Sequence, residues 1–96
     1  MAQYARVATF EFDDEALEAL LDGIRATGMP EDVPAKKVTV LADRSAGKVV
    51  VAIRFDSEED LRKGSATLDA MSPPEVGTRR RVSVDAYEVV LEQEAP

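Results

Sequence analysis

The chain has 96 residues and no cysteine or histidine; 45% of its residues are hydrophobic, 32% are charged, and the formal net charge is −7. That size and balance predict one globular domain over residues 1–96 and exclude disulfides, thiolate metal sites and the commonest general base, while the acidity repels nucleic acid, whose binders neutralise phosphate with Lys and Arg. No run approaches the roughly 20 apolar residues of a membrane span, and the N-terminus lacks the basic start and apolar core of a secretory signal, so with cysteine absent the expected location is cytoplasmic.

Tyr4 to Phe12, "YARVATFEF", is rich in β-branched and aromatic residues and predicts a strand. The period then changes: Leu17, Leu20, Leu21 and Ile24 fall on one helical stripe. Asp13 or Asp14 can cap its start, and Gly28, followed by Pro30, is placed to end it. "GMPEDVPAKK" reads as a polar loop.

"KVTVLA" and "KVVVAIRF" predict two strands joined by "DRSAG", where Asp43 favours a bend and Gly47 can take positive φ. The "SAGK" within it is not a phosphate loop. That motif needs glycine where Ala42 stands, a hydroxyl residue where Val49 stands, and a following helix. "SEEDLRKGSATLDAM" predicts a second helix capped by Ser57, with Leu61, Leu68 and Met71 on one face and small Gly64 and Ser65 between them. Its acidic start suits the helix dipole, and it lacks the central glycine of a calcium loop, so no metal is expected there. After the loop "SPPEVGT", "RRRVSVDAYEVVLEQ" predicts a last strand whose apolar phase shifts between Val84 and Tyr87, as at a β-bulge; the run Arg79 to Arg81 reads as its solvated start.

The order β-α-β-β-α-β is the ferredoxin-like pattern: an α+β sandwich with one four-stranded antiparallel sheet, order 4-1-3-2, and two helices on one face. Val49, Val51, Ile53 and Phe55 suit the helices, whereas Val50, Ala52 and Arg54 face away. With Leu41 and the last strand's Val and Leu residues, that second face is too apolar for a solvated one. The cheapest cover is a second copy, so a homodimer through the open sheet face is expected. Tyr4 and Tyr87 read as interface anchors.

"KVVVAIRF" resembles the K-G-F-G-F-V-x-F strand of RNA-recognition motifs at Lys48, Ile53 and Phe55, but Val50 and Ala52 replace the base-stacking aromatics. In order, length and two-sided apolar sheet, the chain more closely resembles the dimeric α/β-barrel superfamily, which includes small monooxygenases of the antibiotic-biosynthesis type. Its Ala, Val, Arg and Glu usage also resembles that of small uncharacterised actinobacterial proteins. The resemblance implies sheet-to-sheet dimers that enclose small-molecule cavities, with no cofactor. Pocket His, Trp and Asn used by enzymes of that group have no counterpart, since the chain contains none of the three.

Polar residues on the open face form a candidate ligand site. With the first and third strands taken as parallel neighbours, Glu11 and Arg54 fall at the same end. The antiparallel last strand brings Ser83 and Asp85 near Thr9 and Glu11, with Tyr87 beside them. In a functional site Arg54 anchors a carboxylate or enolate, and Glu11 or Asp85 serves as base. In a structural one the same groups form a salt-bridge network across the dimer. Two function classes follow: a non-catalytic homodimeric binding or interaction module, and a cofactor-independent monooxygenase-like enzyme acting on a small aromatic or polyketide-like molecule.

Overall fold

The computed structural model describes residues 2–70 and 79–95. The elements are β1 (Gln3–Phe12), α1 (Asp14–Thr27), β2 (Lys37–Asp43), β3 (Lys48–Phe55), α2 (Glu58–Ala70) and β4 (Arg79–Val89). The strands form one sheet in the order β2-β3-β1-β4. Leu17 of α1 and Leu61 of α2 join Val49, Val51, Ile53 and Phe55 of β3 in one core, so both helices cover the same face. This is the expected ferredoxin-like α+β architecture.

All neighbouring strands are antiparallel, which corrects the expected parallel pairing of β1 with β3. The physical reason lies in the connections. α1 returns the chain so that β2 runs with β1, and the β2–β3 hairpin then reverses it. β3 therefore runs against β1, from Tyr4 opposite Phe55 to Glu11 opposite Lys48.

Local chemistry sets the element ends. The Asp13 carboxylate accepts from the Ala16 amide at 2.8 Å, and Ser57 Oγ accepts from the Asp60 amide at 3.1 Å, so both helices start on the expected caps. Gly28 closes α1 at φ 67°, its amide donating to the Ile24 carbonyl at 2.7 Å. In the hairpin turn Gly47 has φ 66°, and the Asp43 carboxylate accepts from Ser45 Oγ at 2.9 Å and the Ala46 amide at 3.2 Å. Those two donors, Ser45 foremost, hold the Asp43 pKa below its ordinary value. β4 ends at Val89, before the predicted "VLEQ". Its register against β1 shifts between Thr9–Ser83 and Phe10–Arg81, leaving Val82 as the extra residue of a bulge; the expected break between Val84 and Tyr87 is absent, since pairing is regular from Ser83 to Val89. Met71 and the loop over 72–78 lie outside the described residues.

Two core features depart from the sequence reading. Val33, in the segment read as a polar loop, is buried with the strand residues. Gly64 does permit a close approach, but to a ring rather than a backbone: a Cβ there would lie 2.6 Å from Cε1 of the fully buried Phe55. Gly64→Ala therefore gains helix propensity but forces Phe55 out of place. We expect a net loss of about 1 kcal/mol or more in urea unfolding. An unchanged or raised midpoint would show that the ring has room to move.

Candidate functional site

α1 is seated most deeply near its start, and Leu20 and Leu21 also pack against the core. Ala16 and Leu17 are buried, and Arg44 of the hairpin turn reaches across to Asp14 at 3.2 Å and Glu18 at 3.0 Å. Those carboxylates, Glu18 first, raise the Arg44 pKa. Leu20, Gly23, Ile24 and Thr27, along one side of the helix, form the wall of a cavity of about 740 Å³ against the covered face of the sheet. Its floor includes Ala8, Phe10 and Phe12 of β1 with Val51 and Ile53 of β3, and Phe10 and Phe12 lie 4.9 Å apart, ring centre to ring centre. A core of this size is normally close-packed, with few voids larger than a water molecule.

One charged side chain stands on that floor. Arg6 shares the covered face with Tyr4, Ala8, Phe10 and Phe12, pairs with Ile53 and Ala86, and is 6% exposed. Its Nη2 donates to Asp69 Oδ1 at 2.8 Å, at the C-terminal end of α2. Its Nε is buried with no hydrogen-bond partner. Arg81 Nη1 reaches the same Oδ1 at 3.3 Å from β4. Arg80, also on the cavity lining, pairs with Glu11 at 3.3 Å. The start of β4 is exposed, as expected, and its arginines also make ion pairs at the cavity rim.

Sequence reading missed Arg6; the one signal for it is parity with Phe10 and Phe12, which lie on the same, helix-covered face of β1. Tyr4 lies on that face too, packed against the core, and not on the open face expected for an interface anchor. Burial, together with the carboxylates of Glu58 and Glu88, raises its pKa.

The predicted cluster on the open face is divided. Thr9 lies opposite Ser83, Val7 opposite Asp85 and Ala5 opposite Tyr87, so Thr9, Ser83, Asp85 and Tyr87 share one face. Glu11 and Arg54 do not meet. Arg54 is level with Ala5, six residues from Glu11 along β1, or about 20 Å. Arg54 instead donates to Gln3 Oε1 at 2.9 Å and forms an ion pair with Glu92, beyond the end of β4. Leu41 is 58% exposed and Tyr87 54% exposed, and Val82, Val90 and Leu91 are exposed as well.

The chain thus has the ferredoxin-like α+β fold with a half-open cavity on its helical side. Among solved structures it is similar to Rv0793 from Mycobacterium tuberculosis, at 19% identity and a TM-score of 0.56, over 98% of this chain and 99% of that one. At that identity the likeness is one of fold. No protein-family model and no curated protein matches the chain. No helix among the described residues is long and apolar enough to cross a membrane.

The Arg6–Asp69 pair links the central strand to the end of α2. Asp69→Ala would leave the buried guanidinium without that carboxylate, and we expect a loss of about 1–3 kcal/mol in urea unfolding. Arg62→Ala, which breaks the exposed 3.5 Å pair with Glu58, should cost under about 0.5 kcal/mol. Equal effects from the two variants would mean that the Arg6 pair is no stronger than a surface pair.

Proposed function

We propose that the chain is a homodimeric small-molecule-binding module without catalytic activity, of the dimeric α/β-barrel type. The observation that carries the reading is the apolar cavity of about 740 Å³ between α1 and the sheet. It falls in the size range of ligand sites, about 300–1,000 Å³, and is built like one, with apolar walls and few polar groups. The ligand is small and largely apolar, held between the floor at Phe10 and the wall at Leu20 and Ile24.

The homodimer is supported by the open sheet face. Leu41 and Tyr87 are large and exposed, and Val50, Ala52, Ala5 and Val7 lie in the register between them. A two-fold pairing sets that patch against itself and would bury on the order of 2,000 Å². In such a dimer Thr9, Ser83, Asp85 and Tyr87 provide polar interface contacts, and Arg54 is already neutralised by Glu92. A ligand role for the open-face group would require a second cavity between the paired sheets. The whole sequence contains no cysteine, which supports a cytoplasmic location.

The monooxygenase-like alternative is favoured by the cavity's room for an aromatic molecule. Cofactor-free oxygenation needs a group that takes a proton from the substrate. Among the described residues lining the cavity the one carboxylate is Asp69, already shared by Arg6 and Arg81, so binding without turnover is the better reading.

Light scattering at micromolar concentration should give the mass of two chains, and Leu41→Asp should give one. A wild-type monomer would contradict the dimer. The neutral dye Nile red should bind with enhanced fluorescence. Gly23→Phe should weaken that binding about tenfold or more, because Gly23 lines the cavity with open space beside it. Undiminished dye binding in the variant would move the ligand site elsewhere.

A further inference from the structure

The cavity has a charge of its own. Among the described residues its lining carries three arginines, Arg6, Arg80 and Arg81, against the one carboxylate of Asp69, in a chain whose net charge is −7. Arg6 is the innermost in burial, its side chain 7% exposed while that of Asp69 is 55% exposed. A guanidinium presents five N–H donors, and here the Nε donor is buried and unmatched. Leaving a donor of a charged group unmatched in the interior is unfavourable unless an acceptor arrives.

Asp69 is weakly placed as the permanent acceptor. One oxygen, Oδ1, serves both Arg6 and Arg81. The residue stands in the last turn of α2, which contains no basic residue and where the helix dipole disfavours a negative charge. An acceptor arriving from the cavity would meet Arg6 directly and leave Asp69 to Arg81 at the rim.

We propose that the cavity binds an apolar monocarboxylate, whose carboxylate takes the Arg6 guanidinium in the place Asp69 now holds, so that Asp69 acts as a resident counter-ion that the ligand displaces. The apolar body lies along Phe10, Leu20 and Ile24. Guanidinium and carboxylate match in a two-point geometry, which a neutral alcohol or an amine cannot reproduce. This rests on the small-molecule-binding reading above and adds the ligand's charge and the exchange at Asp69.

Decanoate, 1-decanol and decylamine, titrated into the ¹⁵N-labelled full chain and followed by NMR, form the test. Decanoate should bind about tenfold or more tighter than 1-decanol, the factor that a hydrogen bond to a charged group carries, and decylamine weakest of the three. The Arg6 Nε–H signal should shift with decanoate only. Asp69→Asn, which removes the competing charge, should raise decanoate affinity relative to decanol. Arg6→Met should bring the two affinities together. Equal binding of decanoate and decanol by the wild type would overturn the anion site and leave the small-molecule reading standing. No binding of any of the three would overturn both. A decanoate preference with an unmoved Arg6 Nε–H would overturn the assignment to Arg6. The wild-type comparison decides the question even where an Arg6 variant fails to fold.

Discussion

A guanidinium buried on the covered face of a central strand must find a carboxylate, because an unpaired charge in the interior is far more unfavourable than any single apolar contact is favourable. In this fold the requirement ties three elements together. Arg6 on β1 draws Asp69 at the end of α2, and Asp69 in turn holds Arg81 at the start of β4. The pair thereby sets where α2 ends relative to the sheet. It also brings the basic start of β4 to the cavity rim, where Arg80 finds Glu11.

The cavity follows from how α1 is fastened. Its first half is capped by Asp13, buried at Leu17 and tied to the hairpin turn through Arg44. Further along, Leu20 still packs against the core while Gly23, Ile24 and Thr27 line the cleft. A purely structural helix of this amphipathicity would close on the sheet along its length. Retaining both the space and the arginine costs stability, and the combination is typical of a site shaped for something other than folding.

Much of the architecture was legible. Alternation in Val49, Val51, Ile53 and Phe55, the caps Asp13 and Ser57 and the glycine stops each follow from local chemistry that tertiary structure has no reason to override; the bulge in β4 was expected between Val84 and Tyr87 and falls at Val82 instead. Strand order followed from connection rules, but the direction of β3 needed those rules applied through the hairpin, and the expected Glu11–Arg54 meeting failed on that point. Arg6 was hidden because both faces of β1 mix apolar and polar residues, with Val7 and Thr9 on one and Phe10 and Phe12 on the other. Its partner Asp69 is distant in sequence, and no local pattern relates the two. Val33 was hidden for a different reason: a loop residue has no periodicity to betray its burial.

The proposed anion site implies that the Arg6–Asp69 pair is kept for binding at the expense of stability. Its most direct test is the double variant Arg6→Met, Asp69→Ala, compared with the wild type by urea unfolding at one protein concentration. Replacing a buried ion pair by apolar groups removes the desolvation penalty of the charge and fills its place. The account predicts that the double variant unfolds at an equal or higher urea concentration. A loss of more than about 1 kcal/mol would contradict it, and would make the pair a net structural support of the fold.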